Sequence, residues 1–161
     1  MVAVPVEVNL YSFASTTVIG YPLAASSTIS GLSGTTSLGS LTVTGASSFT
    51  SYTVTVASGT NSYGTGNKFY IDGSVSPTLS LTEGQIYRFD QSDSTNGTHP
   101  LRFSTTANGT HAGGSEYTTG VTTSGTPGSS GAYTQIEVAS GAPTLYYYCT
   151  NHSGMGGQIN T

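Results

Sequence analysis

The sequence predicts an all-β protein: an antiparallel sandwich over residues 51–161, preceded by an extended β arm over residues 1–50. Three observations carry this expectation. From Ser51 onward, short segments alternate apolar and polar side chains with the period of two of a half-buried strand. Gly, Pro, Asn or Asp bounds each segment, and no window shows the repeat of an amphipathic helix. Charged residues make up only 6% of the chain, against about 25% in an ordinary globular protein.

The arm is set apart by charge. Glu7 is the only charged residue before Lys68. The stretches VAVPVEVNLYSF and SLTVTG alternate Val and Leu with smaller or polar residues, so short strands are expected there. Large apolar side chains are too few for an independent core. Ordering the backbone costs about 1–2 kcal/mol per residue, so the arm is expected to order only against other protein. Copies of itself, or another protein offering a free sheet edge, would fit its low charge.

The sandwich segments follow in order. SYTVTVA sets Tyr52, Val54 and Val56 against Thr53 and Thr55. Then come NKFYIDG, PTLSLTEG, QIYRFD, HPLRFSTT, AYTQIEV and TLYYYC, each rich in β-branched or aromatic residues. Many short strands at this spacing indicate a sandwich or barrel. Ile86, Phe89, Leu101, Phe103, Ile136, Val138 and Tyr147 are the core candidates. Ile86 and Phe89 cannot share one face of a regular strand without a bulge or burial on both sides. Residues 104–130 form a polar excursion, with one short strand expected around Tyr117–Val121. An excursion this long is usually functional or covered by a partner.

Several function classes are disfavoured. The net charge of −4, with Lys68, Arg88 and Arg102 the only cations, leaves no basic patch for nucleic acid. No apolar run is long enough to span a bilayer as a helix. The first twenty residues lack a positive leading region, so they do not read as a signal peptide and export is not expected. A lone cysteine, Cys149, permits no internal disulfide. No enzymatic motif is present: Asp72, Glu83, Asp90, Asp93 and Glu116 sit mostly in turn-like contexts, where carboxylates shape the backbone.

One stretch carries chemistry. LYYYCTNHSGMGG places Cys149, His152 and Met155 three residues apart, directly after a strongly β-forming segment. A thiol, an imidazole and a thioether on one tight loop suit copper, whose trigonal set needs a second imidazole. His99, in NGTHPLRF, is the candidate; His111, within the polar excursion, is the weaker one. The competing reading is a buried thiol beside two ordinary loop residues.

The segments PTLSLTEGQIYRFDQSDSTNGTHPLRF, AYTQIEV and LYYYCTNHSGMGG together resemble the cupredoxins, Greek-key β-sandwiches with a type 1 copper site at one end. The resemblance covers residues 51–161. It implies copper bound by His99, Cys149, His152 and Met155, with a short ligand loop like that of the amicyanins. Many members carry Asn after the first histidine; here that position is Pro100, which has no N–H to offer the sulfur. Such a fold can survive without its metal, so an empty site is the alternative. The wording from FYIDG to the chain's end also resembles domains of virion structural proteins of marine tailed phages. That implies a capsid decoration or small tail or fibre component, assembled in the host cytoplasm beside other virion proteins and copies of itself. A blue copper electron carrier, working outside the cytoplasm, is the first alternative. A carbohydrate-binding or adhesion module facing a host surface glycan is the second, supported weakly by the tyrosines.

Overall fold

A computed structural model describes residues 48–161, so all but the last three residues of the expected arm lie outside the described residues. The described part is built almost wholly from strands: β1 (Thr50–Asn61), β2 (Gly64–Ile71), β3 (Ser74–Val75), β4 (Leu79–Ser80), β5 (Ile86–Asp90), β6 (Leu101–Ser104), β7 (Glu116–Tyr117), β8 (Val121–Ser124), β9 (Tyr133–Glu137), β10 (Leu145–Cys149) and β11 (Gly157–Asn160). Two short 3-10 turns, Ser94–Asn96 and Gly109–Ala112, interrupt them.

The strands form two sheets, ordered β3-β2-β1-β5-β9-β8 and β4-β11-β10-β6-β7. Both sheets are mixed, which corrects the expectation of a purely antiparallel sandwich. β1 runs parallel to β5, and β11 runs parallel to β4. Period-two patterning marks a strand but not the direction of its partner. Between β1 and β5 the chain builds β2 and β3, crosses to the other sheet as β4, and returns. That crossover lets β5 lie beside β1 in the same sense without the usual helix.

The core lies between the two sheets. Val54, Val56, Phe69, Ile71, Phe89, Ile136 and Val138 from the first meet Leu79, Leu101, Phe103, Leu145, Tyr147, Cys149 and Ile159 from the second, all buried in one apolar cluster. Aromatic pairs cross the interface: Phe89 meets Phe103 edge-on at 5.4 Å, and Phe69 meets Tyr147 at 6.5 Å. Each fully buried ring contributes about 1.5–3 kcal/mol. Six of the seven core candidates are buried. Ile86 is the exception: in β5, Tyr87 and Phe89 take the buried positions, and alternation leaves Ile86 half-buried.

The polar excursion joins the far edges of the two sheets. It supplies β7 to one and β8 to the other, so the single strand expected around Tyr117–Val121 is two. Its first half covers Tyr148, which alternation would otherwise turn to solvent but which is only 1% exposed. Gly109 makes this closeness possible. It has φ +54°, and a Cβ there would stand 2.6 Å from the Tyr148 ring.

Candidate metal centre

The pairing of β6 with β10 assembles the site. Cys149 lies opposite Leu101 in antiparallel register, so the entrance to β6 and the exit from β10 share one end of the sheet. His99 lies two residues before Leu101 and His152 three after Cys149, which brings both histidines to that end. Pro100 continues the ladder by one step, its carbonyl accepting the Thr150 N–H at 3.1 Å.

Three of the four expected ligands converge. The Cys149 Sγ lies 3.8 Å from His99 Nδ1 and 3.7 Å from His152 Nδ1, and the three donor atoms all lie within 4.8 Å of one another. The imidazole rings are 4.5 Å apart. Cys149 is fully buried, His99 is 7% exposed, and His152 opens to solvent. Met155 is buried in the same apolar cluster as Cys149. His111, the weaker candidate, lies outside the donor group: its Nε2 meets the Cys149 carbonyl at 2.9 Å.

These donors fit a shared metal. Bonds of about 2.3 Å to sulfur and about 2.0–2.1 Å to nitrogen put the two donors about 3.6–3.8 Å apart at angles from tetrahedral to trigonal. The observed separations lie at the trigonal side of that range. One thiol with two imidazoles is a soft and borderline set suited to copper or zinc. Burial, and then the neighbouring His152 ring, hold His99 below the usual imidazole range, which keeps a lone pair available. Burial pushes the Cys149 thiol up, while the backbone N–H groups of Asn151 and His152 pull it back. Those two N–H groups act on the sulfur from within the Cys-x-x-His turn.

The ligand loops are tied together from an unexpected side. Pro100 cannot donate, but Asn151 Nδ2 donates to the Thr98 carbonyl at 2.9 Å and so joins the His99 loop to the Cys149 loop. Thr98 has φ +67°, a left-handed conformation that a β-branched residue rarely adopts. Beneath it, buried Gln91 brackets Pro100. Its Nε2 donates to the His99 carbonyl at 2.8 Å, and its Oε1 accepts the Leu101 N–H at 3.1 Å. Asn96, fully buried, donates to the Val54 carbonyl at 2.7 Å and accepts from Gln91. Thr95 Oγ1 accepts the Val56 N–H. The loop before His99 thus continues along the edge of β1 where β5 has ended.

The segment from His152 to Met155 is held equally firmly. Asn108 accepts the Gly154 N–H at 2.7 Å, and Lys68, only 3% exposed, donates to the Gly154 carbonyl at 2.7 Å. The Met155 carbonyl accepts from the Phe69 N–H and the Ser76 hydroxyl, both at 3.0 Å. Sequence reasoning named His99, Cys149 and His152, which the fold brings together, but none of these supports. One signal was present for Gln91: it continues the inward alternation of Tyr87 and Phe89.

The carboxylates weighed for acid–base work have structural partners. Asp72 accepts from Thr53, Asp90 from Ser92, Asp93 from Thr95, Glu83 from Gly141, and Glu116 pairs with Arg102. Comparison with protein-family models, with characterised proteins and with solved structures returns no match, so the chemistry of the site rests on its own residues.

Proposed function

We propose that residues 51–161 form a cupredoxin-like module that binds copper through His99, Cys149 and His152 with Met155 as fourth ligand, and that the whole chain is a structural protein of a phage virion, a capsid decoration or small tail or fibre component. The observation that supports the metal half is the donor spacing: two imidazole nitrogens within 3.8 Å of one buried thiol. Bound copper would supply a one-electron couple and an intense thiolate absorption. The chain's own contribution is to release the Cys149 proton on binding, present neutral imidazoles, and hold both loops in place before the metal arrives. The virion half rests on the sequence resemblance and on the near absence of charge before Lys68. Copies of the chain and other virion proteins are then its partners.

Copper(II) added to the purified metal-free chain tests the metal half. A strong band near the red end of the visible spectrum, absent in Cys149→Ser, is expected. Locating the chain in purified particles tests the other half. A soluble blue copper electron carrier is the second reading, favoured by the solvent-exposed edge of His152, which leaves the centre reachable by a redox partner. Reversible redox cycling with a partner, in a chain absent from particles, would select it.

A further inference from the structure

Away from the candidate metal centre, a cleft of about 400 Å³ is lined by the β1–β2 hairpin together with residues of β10 and β11. Thr60, Asn61, Ser62 and Tyr63 of the hairpin line it with Tyr146 and Gln158, and no residue lining it carries a formal charge. Its volume falls within the range of about 300–1,000 Å³ typical of small-molecule sites. Three large apolar side chains stand exposed among the described residues, and two of them, Tyr63 and Val75, border this cleft. Tyr63 is 47% exposed at the tip of the hairpin. Its backbone is fixed by an N–H bond to Asn61 Oδ1 at 2.9 Å, so the ring is presented from an anchored turn.

The chemistry is that of a neutral polyol site. An exposed aromatic face offers stacking to the C–H face of a ring. Amides and hydroxyls offer both donors and acceptors, and no charge is present to select an ion. Asn108 uses its Oδ1 on the Gly154 N–H, leaving its amide N–H groups to the cleft, and Gln158 uses its Nε2 on Asn160, leaving its carbonyl. We infer that this cleft is a binding site for a neutral saccharide of one to three rings, stacked on Tyr63 and hydrogen-bonded by Asn108 and Gln158.

The test is NMR titration of the isotope-labelled full chain with lactose, maltotriose, cellotriose and N,N′-diacetylchitobiose, with sialyllactose as an anionic comparison. At least one neutral sugar should shift amide signals of the hairpin tip and of residues 156–158. Tyr63→Ala should weaken that binding about tenfold, equivalent to roughly 1.4 kcal/mol of stacking. Tyr63→Phe should retain it, and Cys149→Ser should leave it unchanged, separating this site from the metal centre. Shifts with none of the neutral sugars, shifts outside the cleft, or equal binding by Tyr63→Ala would each overturn the assignment. Preference for sialyllactose over lactose would overturn its neutral character.

Discussion

Asn151 joins the two loops that carry the candidate metal donors, through its bond to the Thr98 carbonyl. Its replacement by Ala should weaken copper binding by about 10–100-fold, the usual effect of losing a group that orients ligands. The cost in fold stability should be only about 0.5–1.5 kcal/mol. Copper titration beside urea unfolding separates the two effects. Gly109 makes the opposite demand. Gly109→Ala forces a Cβ against the Tyr148 ring at positive φ, and should destabilise the domain by about 2 kcal/mol or more in urea unfolding. At this scale the sequence was legible where residue types are rare. One cysteine and three histidines in the chain draw attention; Gln91, Asn96, Asn108 and Lys68 do not. A buried Asn in a Ser/Thr/Asn-rich chain has the same letter as a solvated one, and only its hydrogen-bond partners tell them apart.

The loop between β5 and β6 decides where His99 sits. Gln91→Leu fills the same space but leaves the His99 carbonyl and the Leu101 N–H without their buried partners. That should cost about 2–5 kcal/mol and lower copper affinity as well, both read by melting with and without copper. Asp93 caps the 3-10 turn in this loop, and its bonds from Thr95 hold its carboxyl below the usual range. The stability it adds is therefore present above about pH 3.9, the ordinary value, and lost as pH falls through the lower folded value. Asp93→Asn should be less stable than the parent at pH 6 and converge with it in strong acid, as urea unfolding across pH will show. Strands β1 and β5 were readable as elements because Tyr, Val and Phe repeat at every second position, and β10 because aromatic residues fill its centre without a break. The two-residue strand β3 was not, since two residues have no period, and β11 offers only Ile159 as a buried apolar residue; β4 fell within PTLSLTEG and β7 at the start of the strand expected around Tyr117–Val121, but the extent of neither was readable. Strand direction was unreadable for a further reason: alternation is the same for parallel and antiparallel partners.

The molecule divides by charge, with Glu7 alone before Lys68 and the other charged residues after. A chain beginning at Ser48 keeps every described strand, and should fold and bind copper as the full chain does. If the proposed arm serves assembly, that shortened chain should fail to join particles or oligomers; assembly without residues 1–47 would show that the arm is not the attachment element. In the other part, sheet pairing brings one thiol and two imidazoles from two loops within 4.8 Å of one another, a spacing that a single ion could bridge. Copper(II) titration of the full, metal-free chain, followed by visible absorption and electron paramagnetic resonance, shows whether they hold one. One copper per chain and an intense band near the red end of the spectrum are expected, with both lost in Cys149→Ser while the fold persists. A parent chain that stays colourless and retains no copper after dialysis would contradict the proposed copper site.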